Sequence, residues 1–288
     1  MGTDRRPNST TEFAKFGFFG DSSRIEGLHA RFDRHEFSTH AHDAWAIGAV
    51  VSGSKDVSAR RGPRQIVNAG ECYSLPPHRP HAGKLVDNHC EYVMLYVPDA
   101  EWRAQCAAYS VDPDHFSMAA SKQPQLVKYL ASFVKMMLYN PEMLVKWSGE
   151  WSVFCETMLT PYRRLDSVQS TSSIARTNRD PAVVRAQDYL REFWNQNVSS
   201  VELARAASMS TYELCRRFSL VYGLPPHRYQ LVLRVINAKS KLLQGASIPD
   251  VASDTGFSDQ SHLGRHFKSI FGLTPGAVAK EVVRIGRK

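Results

Sequence analysis

The sequence predicts an α+β chain of two domains, in which an N-terminal β-barrel is followed by a domain made only of helices. Three observations predict it: β-rich runs between residues 25 and 97, helical periodicity from residue 125, and an internal repeat beyond residue 180. The length of 288 residues suits about two domains. We expect the domains at residues 1–166 and 181–288, separated by an exposed Ser/Thr-rich linker at 167–180.

The N-terminal domain is predicted from short strands and two amphipathic helices. Gly, Pro and Asn interrupt the β-rich runs at intervals of about 8–12 residues, as in a sandwich or small barrel. The runs are LHARF, AWAIGAVV, DVSAR, QIV, ECYSL and YVMLYV. The apolar faces of the two helices are Leu126, Leu130, Phe133, Val134, Met137 and Leu138, and Leu144, Trp147, Trp151, Phe154, Cys155 and Met158. These faces either cover the barrel or also form a dimer interface, because periodicity shows only that an apolar face needs a partner.

Composition excludes several classes of protein. With 43% hydrophobic and 22% charged residues, the chain is typical of a soluble globular protein. No apolar run approaches the roughly 20 residues that cross a bilayer, and the N-terminus lacks the apolar core of a signal peptide. The five cysteines are scattered without a CxxC pair, which argues against a disulfide framework and a cysteine-rich zinc module. We therefore expect a cytoplasmic protein with no membrane partner.

The basic charge is concentrated in the helical domain. The net charge is +8, and residues 180–288 hold 15 basic against 9 acidic side chains. A basic surplus in the smaller domain is the electrostatic pattern of a nucleic-acid-binding module, although many basic domains bind no nucleic acid.

The helical domain contains an internal repeat whose offset is 48 and then 49 residues. Each copy predicts a short helix, a tight turn and a longer helix ended by Gly and Pro, which is the helix–turn–helix plan. Ser199 and Ser210 each precede a Glu by three residues, as in a capping box, and Ser247 opens the second copy more weakly. Gly256 suits a left-handed turn. The matched positions are Ala204, Met209, Ser210, Leu214, Phe218, Gly223 and Pro226 with Ala252, Phe257, Ser258, Leu263, Phe267, Gly272 and Pro275.

The longer helix of each copy presents matching polar side chains opposite its apolar sector. These are Tyr212 and Arg216 in the first copy, and Ser261 and Arg265 in the second. An exposed Arg can contact guanine through two hydrogen bonds, which discriminates bases by about 1–3 kcal/mol. Any amphipathic helix has an Arg on its wet face, but two such faces in a phased repeat favour DNA recognition. Arg217 and Lys268 lie nearer the edges and suit phosphate contacts.

A stiff helix is predicted between the two copies. Residues 226–243 span about 27 Å, close to the roughly 34 Å between successive major-groove openings on one side of DNA. One chain could therefore contact two adjacent groove segments. We expect the apolar positions of this helix to face both units; they are Leu231, Val235, Ala238 and Leu242.

The segment GFSDQSHLGRHFK-x3-G-x-TP, with the rest of residues 182–281, resembles the DNA-binding domain of the AraC/XylS family of transcription regulators. The resemblance implies a transcriptional activator that binds double-stranded promoter DNA and a small-molecule effector, with a second copy of the chain and RNA polymerase as candidate protein partners. It also implies base-contacting positions at Tyr212, Cys215, Arg216, Ser261, His262 and Arg265. Cys215 stands where polar residues are usual, and Gly264 weakens its helix by about 1 kcal/mol relative to Ala.

Two histidine motifs resemble those of cupin barrels: His40-Ala41-His42, and Gly70-x5-Pro76-x-His78-x2-His81. In metal cupins such histidines bind a divalent ion together with a Glu, but Ala46 stands at the Glu position. We therefore expect no metal; if one binds, its ligands are His40, His42 and His81. We expect His78 to face solvent. The effector pocket is predicted at His40, His42, Trp45, Tyr73, His81 and Tyr92.

The sequence thus predicts a sequence-specific, effector-controlled transcription regulator that is not an enzyme and needs no cofactor. The alternative is a metal-dependent cupin enzyme with a helical appendage, which predicts about one bound metal ion per chain. The two hypotheses differ in what the barrel binds.

Overall fold

A computed structural model of the chain describes residues 12–19, 25–34, 36–58, 64–113, 120–140, 147–162 and 180–285. Leu144, the side chain of Trp147 and positions 167–179 of the predicted linker lie outside this described part. None of the described helices is long and apolar enough to span a membrane.

Eight antiparallel strands form the sheet of the N-terminal domain. Their order is β1-β2-β7-β4-β6-β8, with β3 paired to β7 and β5 paired to β4. The strands are β1 (Phe13–Phe19), β2 (Ile25–Phe32), β3 (Glu36–His40), β4 (Ala44–Asp56), β5 (Ile66–Asn68), β6 (Glu71–Leu75), β7 (His81–Pro98) and β8 (Ser121–Lys122).

Three helices cover one face of this sheet. Strand alternation in β4 sends Trp45 and Ile47 to the helix-covered face, whereas Ala46 and Val50 point to the other face. The helices are α1 (Asp99–Ala108), α2 (Pro124–Tyr139) and α3 (Trp147–Leu159). The predicted apolar positions of α2 and α3 are buried within one chain; they are Leu126, Leu130, Phe133, Val134, Met137, Leu138, Trp151, Phe154, Cys155 and Met158. These faces therefore cover the sheet.

The predicted strands are correct in outline, but several details differ. β1, β3, β8 and α1 were not predicted. Of the predicted strand DVSAR, Asp56 ends β4, Val57 and Ser58 lie outside any strand, and positions 59 and 60 lie outside the described residues. The Ser-Gly-Ser stretch that resembles a turn instead carries two register shifts within β4. Gly53 has φ of 75°, and a Cβ there would lie 2.0 Å from the carbonyl oxygen of His89. The stretch is therefore bulged strand and not a loop.

The C-terminal domain has the predicted double helix–turn–helix. The first unit contains α5 and α6, the second contains α8 and α9, and α7 joins them. Ser199, Ser210 and Ser247 each accept a hydrogen bond from the backbone N–H three residues later, as their spacing predicts. The helices are α4 (Pro181–Glu192), α5 (Ser200–Ala206), α6 (Thr211–Tyr222), α7 (Pro226–Leu243), α8 (Ile248–Asp254), α9 (Gln260–Phe271) and α10 (Pro275–Ile285).

Helix α7 contributes to the cores of both units. Tyr229 and Leu233 pack in the first unit, whereas Val235, Ala238 and Leu242 pack in the second. The core of the second unit continues into the open face of the sheet, and that of the first unit is separate. The two domains are therefore packed together through the second unit.

Arg234 on α7 joins the two units through backbone carbonyl oxygens. It donates to Trp194 O at 3.1 Å and Gln196 O at 2.7 Å in the first unit, and to Gly256 O at 2.8 Å in the second. Gly256 has φ of 74°, and a Cβ there would meet Asn195 O at 2.6 Å. The turn of the second unit thus requires glycine for its conformation and for this close approach.

Candidate nucleic-acid interface and sensor cavity

The predicted DNA-contacting face of each unit is open to solvent. Tyr212 is 76% exposed, and Arg216 and Arg217 are exposed beside it on α6. On α9 the exposed side chains are Ser261, Arg265 and Lys268. The opposite sides of both helices are buried, as the helical spacing of their apolar residues predicts.

The arginines of the two faces differ in their ion pairs. Arg216 donates to Glu213 at 3.1 Å, and Arg217 donates to the same carboxylate and to Asp180 at 2.8 Å. These hydrogen bonds hold the pKa of Glu213 below its ordinary value. Within the described residues, no ion pair holds Arg265. The two faces therefore differ: Glu213 occupies the guanidinium groups of the first unit, whereas Arg265 of the second unit has no ionic partner among the described residues.

Two further predicted positions are half-buried. Cys215 lies at the edge of the exposed face of α6. The ring of His262 packs edge-on against Phe257, and its Nδ1 lies 3.1 Å from Ser258 Oγ. The backbone N–H of His262 donates to Asp259, the N-cap of α9. These contacts orient His262 at the start of the helix.

A cavity of about 40 Å³ lies on the face of the sheet away from α1–α3. Five of the six side chains predicted for the pocket line it; they are His40, His42, Tyr73, His81 and Tyr92. The prediction for Trp45 is wrong. Its side chain lies on the opposite face, where Nε1 donates to Asp99 Oδ1 at 2.8 Å. Neighbouring residues of a strand point to opposite faces, so Trp45 and Ala46 cannot share one.

Several residues that close the cavity were not predicted. Lys55 and Tyr96 come from the sheet, while Ile270 and Phe271 come from the C-terminal end of α9. Simple alternation from Ala46 would place Lys55 on the helix-covered face, but the register shifts in β4 turn it into the cavity. The α9 residues are far away in sequence, and no local pattern marks them.

The three cavity histidines are close together and neutral. Their ring centroids lie 4.4–5.0 Å apart. Burial lowers the pKa of His40 to about 4, and it lowers those of His42 and His81 well below the ordinary value. His40 Nδ1 lies 2.7 Å from Ser38 O, and His81 Nδ1 lies 3.1 Å from Arg79 O. Since a carbonyl only accepts, Nδ1 carries the proton and Nε2 keeps its lone pair.

The same histidines form a candidate metal site. Their candidate ligand atoms lie within 4.8 Å of one another, and imidazole nitrogen suits divalent ions such as zinc. None of the described residues that line the cavity carries a carboxylate, and Ala46 is buried at the position of the cupin Glu. The ammonium of Lys55 faces the same space and opposes a second cation. The ligand type fits a metal, but the charge of the cavity does not.

The sheet domain and the helical domain also contact each other outside the cavity. Lys239 on α7 forms a buried ion pair with Glu26 on β2. The pKa of Glu26 is raised by its burial, although Lys239 acts in the opposite direction. His78 contacts Arg191 on α4 and is half-buried, so the expectation that it faces solvent is wrong. The loop between β6 and β7 reaches the helical domain, which a strand pattern cannot show.

Two family models match the chain, one in each domain. The sheet domain matches the AraC-like ligand binding domain over residues 23–142, and the helical domain matches a helix-turn-helix domain over residues 203–281. The first match spans β2 to α2, and the second spans α5 to α10.

Relatives and solved structures cover both domains. The HTH-type transcriptional regulator YbfI of Bacillus subtilis is 27% identical over 245 residues, covering 83% of this chain and 86% of the relative. The HTH-type transcriptional activator RhaS of an Enterobacter strain is 26% identical over 267 residues, covering 90% of this chain and 93% of the relative. ToxT of Vibrio cholerae has a similar fold, with a TM-score of 0.56, 15% identity and coverage of 89% and 97%. A ToxT structure bound to an unsaturated fatty acid gives a TM-score of 0.54, 13% identity and coverage of 94% and 95%.

The exposed repeat, the cavity of the sheet domain and these matches all indicate the same family. The chain belongs to the AraC/XylS family, as a DNA-binding transcriptional regulator that combines a helix-turn-helix domain with a ligand-binding domain.

Proposed function

We propose that α6 and α9 enter neighbouring major-groove segments of one promoter and read bases through side chains of their exposed faces. The support is the pair of exposed faces at equivalent positions of a repeat, held on either side of α7. Arg217 and Lys268, at the edges of these faces, contact phosphate. The base-contacting set is Tyr212, Cys215, Arg216, Ser261, His262 and Arg265.

The effector acts through the second unit. One observation carries this proposal: Ile270 and Phe271, at the end of α9, line the cavity of the sheet domain. A cavity of about 40 Å³ has room for roughly three water molecules, so a larger effector must widen it, and in this proposal it does so by displacing these two side chains. Displacement weakens the attachment of the second unit to the sheet domain. The effector therefore favours the arrangement in which α9 is released to bind DNA.

A matched pair of substitutions tests this coupling. Ile270 is buried in the cavity wall, whereas Val221, its equivalent 49 residues earlier, is 39% exposed on α6. Ile270→Ala should raise the DNA affinity of the effector-free protein about fivefold or more, the lower end of typical coupling energies. Val221→Ala should change it little. The measurement is fluorescence anisotropy with DNA selected by the full chain. Equal behaviour of the two variants would contradict the coupling, and failure to select any DNA would contradict the function.

In this proposal, the protein partners are a second copy of the chain and RNA polymerase. The proposed location is the cytoplasm. The dimer cannot use the apolar faces of α2 and α3, since they cover the sheet. Tyr139 on α2 and Val153 on α3 are large apolar side chains that remain exposed. Sedimentation of the full chain with and without Val153→Asp tests whether this side of the sheet domain holds two copies together.

A further inference from the structure

The side chain of Lys55 is largely buried, and among the described residues it has no acidic partner. Its exposed fraction is 7%, and it lines the cavity. Its Nζ lies 3.8 Å from the centre of the Tyr92 ring, 5.5 Å from that of Tyr73 and 5.9 Å from that of Phe37. Within the described residues, no carboxylate and no hydrogen-bond acceptor contacts this Nζ. Burial lowers the pKa of Lys55 to about 8, so the ammonium is still charged at neutral pH.

The other buried lysine near the cavity shows the contrast. Lys239 also lies over aromatic rings, those of Phe16, Tyr96 and Phe271, but it is paired with Glu26. Lys239 thus has an acidic partner within hydrogen-bond distance. Among the described side chains that line the cavity, Lys55 is the cation without such a partner. A buried charge is costly unless it is paired, and a ligand with one negative charge supplies the missing partner.

The histidines add a second requirement. His40 and His81 donate from Nδ1 to backbone carbonyls, which leaves their Nε2 lone pairs as acceptors in the cavity. A carboxylate repels such lone pairs, whereas a hydroxyl group can donate a hydrogen bond to one of them. Lys55 and the three histidines line the same cavity of about 40 Å³. One small molecule can therefore reach both the lysine and an imidazole.

Building on the sensor role, which is itself proposed, we propose that the cavity binds a compact hydroxy acid. Its carboxylate pairs with the ammonium of Lys55, and its hydroxyl donates to Nε2 of His40 or His81. The polar end fills the existing space of about 40 Å³, and any larger apolar body extends between Ile270 and Phe271. The aromatic rings of Tyr73 and Tyr92 enclose the charged pair and exclude water from it.

Calorimetry with matched ligands on the unaltered protein tests the chemistry. The probes are lactate, mandelate and 4-hydroxybenzoate, each compared with the acid that lacks the hydroxyl and with the amide that lacks the charge. At least one hydroxy acid should bind. Its deoxy analogue should bind about tenfold more weakly, and its amide about thirtyfold or more, as expected for an unpaired buried acceptor and an unpaired buried charge. Binding of none of the three acids, or equal binding of acid and amide, would overturn the proposal.

A variant locates the charge that the ligand needs. Lys55→Met keeps a similar length and removes the ammonium, and it should weaken hydroxy-acid binding about thirtyfold or more. Lys128→Met removes an exposed lysine of α2 outside the cavity and should leave acid binding unchanged. Thermal unfolding shows whether each variant is folded. Because the comparison of acid with amide needs no variant, it remains decisive if Lys55→Met does not fold. Unchanged acid binding by folded Lys55→Met would refute the role of Lys55.

Two controls separate this proposal from its alternatives. Elemental analysis of the purified protein should find less than one divalent metal ion per chain; a full equivalent that is lost in His40→Phe would overturn the hydroxy-acid site in favour of a metal site. DNA affinity is measured on the same ligand-free samples. DNA binding without acid binding would defeat only the hydroxy-acid proposal. Absence of DNA binding would instead defeat the proposed function.

Discussion

The two helix–turn–helix units come from one sequence repeat, but they have different surroundings. The first unit packs Phe218 and Tyr222 against α4, in a core of its own. The second packs Phe267 and Ile270 into a core that includes Tyr92 and other side chains of the cavity. The repeated pattern gives both units the same kind of exposed face. Within the described residues, the second unit shares its core with the cavity side chains and the first unit has a separate core, which is why we propose coupling through the second unit.

The largest expected effect comes from a matched pair of core substitutions. Phe218 and Phe267 are equivalent in the repeat, and both are fully buried. Each Phe→Ala change should cost about 3–5 kcal/mol of unfolding free energy. Hydrogen exchange should show protection lost only in the first unit for Phe218→Ala, but also in β2, β4 and β7 for Phe267→Ala. Unchanged protection of these strands in Phe267→Ala would show that the shared core is not cooperative.

Acid should loosen the second unit before the first. Burial lowers the pKa of His40 from 6.5 to about 4, so the unfolded chain binds more protons between these pH values. The unfolding free energy should therefore fall as the pH drops from 6.5 to 4, by about 3 kcal/mol for His40, and His81 acts in the same direction.

Chemical denaturation at several pH values, followed by hydrogen exchange, measures this loss. The pKa of Glu213 and that of Asp180 are lowered by their arginine partners, so acid breaks the ion pairs of the first unit at a lower pH than it would break those of ordinary carboxylates. His40→Gln should flatten the dependence. If, as the pH is lowered, the first unit lost its hydrogen-exchange protection at a higher pH than the second unit, the predicted order of acid sensitivity would be wrong.

A third pair concerns base recognition. Arg216→Ala and Arg265→Ala should each relax base preference at one position and cost about 1–3 kcal/mol of binding free energy. The loss should be smaller for Arg216, which must first leave Glu213. Binding to a library of single-base operator variants measures both effects. A uniform loss over all sequences would show that these arginines contact phosphate and not bases.

The smallest expected effect is on salt dependence. Lys268→Ala should weaken binding to all sequences similarly and reduce the slope of log affinity against log salt by about 1. Lys128→Ala, on the exposed side of α2, is the control and should leave the slope unchanged. Titrations of DNA binding at four salt concentrations measure the slope for each variant. An unaltered slope for Lys268→Ala would remove this lysine from the interface.

The repeat, its caps and the exposed face of each DNA-contacting helix could be predicted from the sequence because they depend on neighbours within one turn of helix. The cavity histidines could also be predicted, since both motifs have distinctive spacing. Trp45 was misplaced because a strand pattern does not reveal which face is covered by helices. Lys55 was missed because the bulges in β4 reverse the direction of its side chain. Such a bulge depends on pairing with β7, which lies far away in the chain.

The sequence by itself determined the identity of the two units, the chemistry of their exposed faces and the presence of clustered histidines. These are local properties, set by helical periodicity, capping and residue type. Only the tertiary structure decided that Ile270 and Phe271 line the cavity and that Lys55 has no acidic partner there among the described residues. Both facts arise when surfaces distant in sequence are packed together, because burial, and not residue type, determines whether a charge lacks a partner and what an apolar side chain covers.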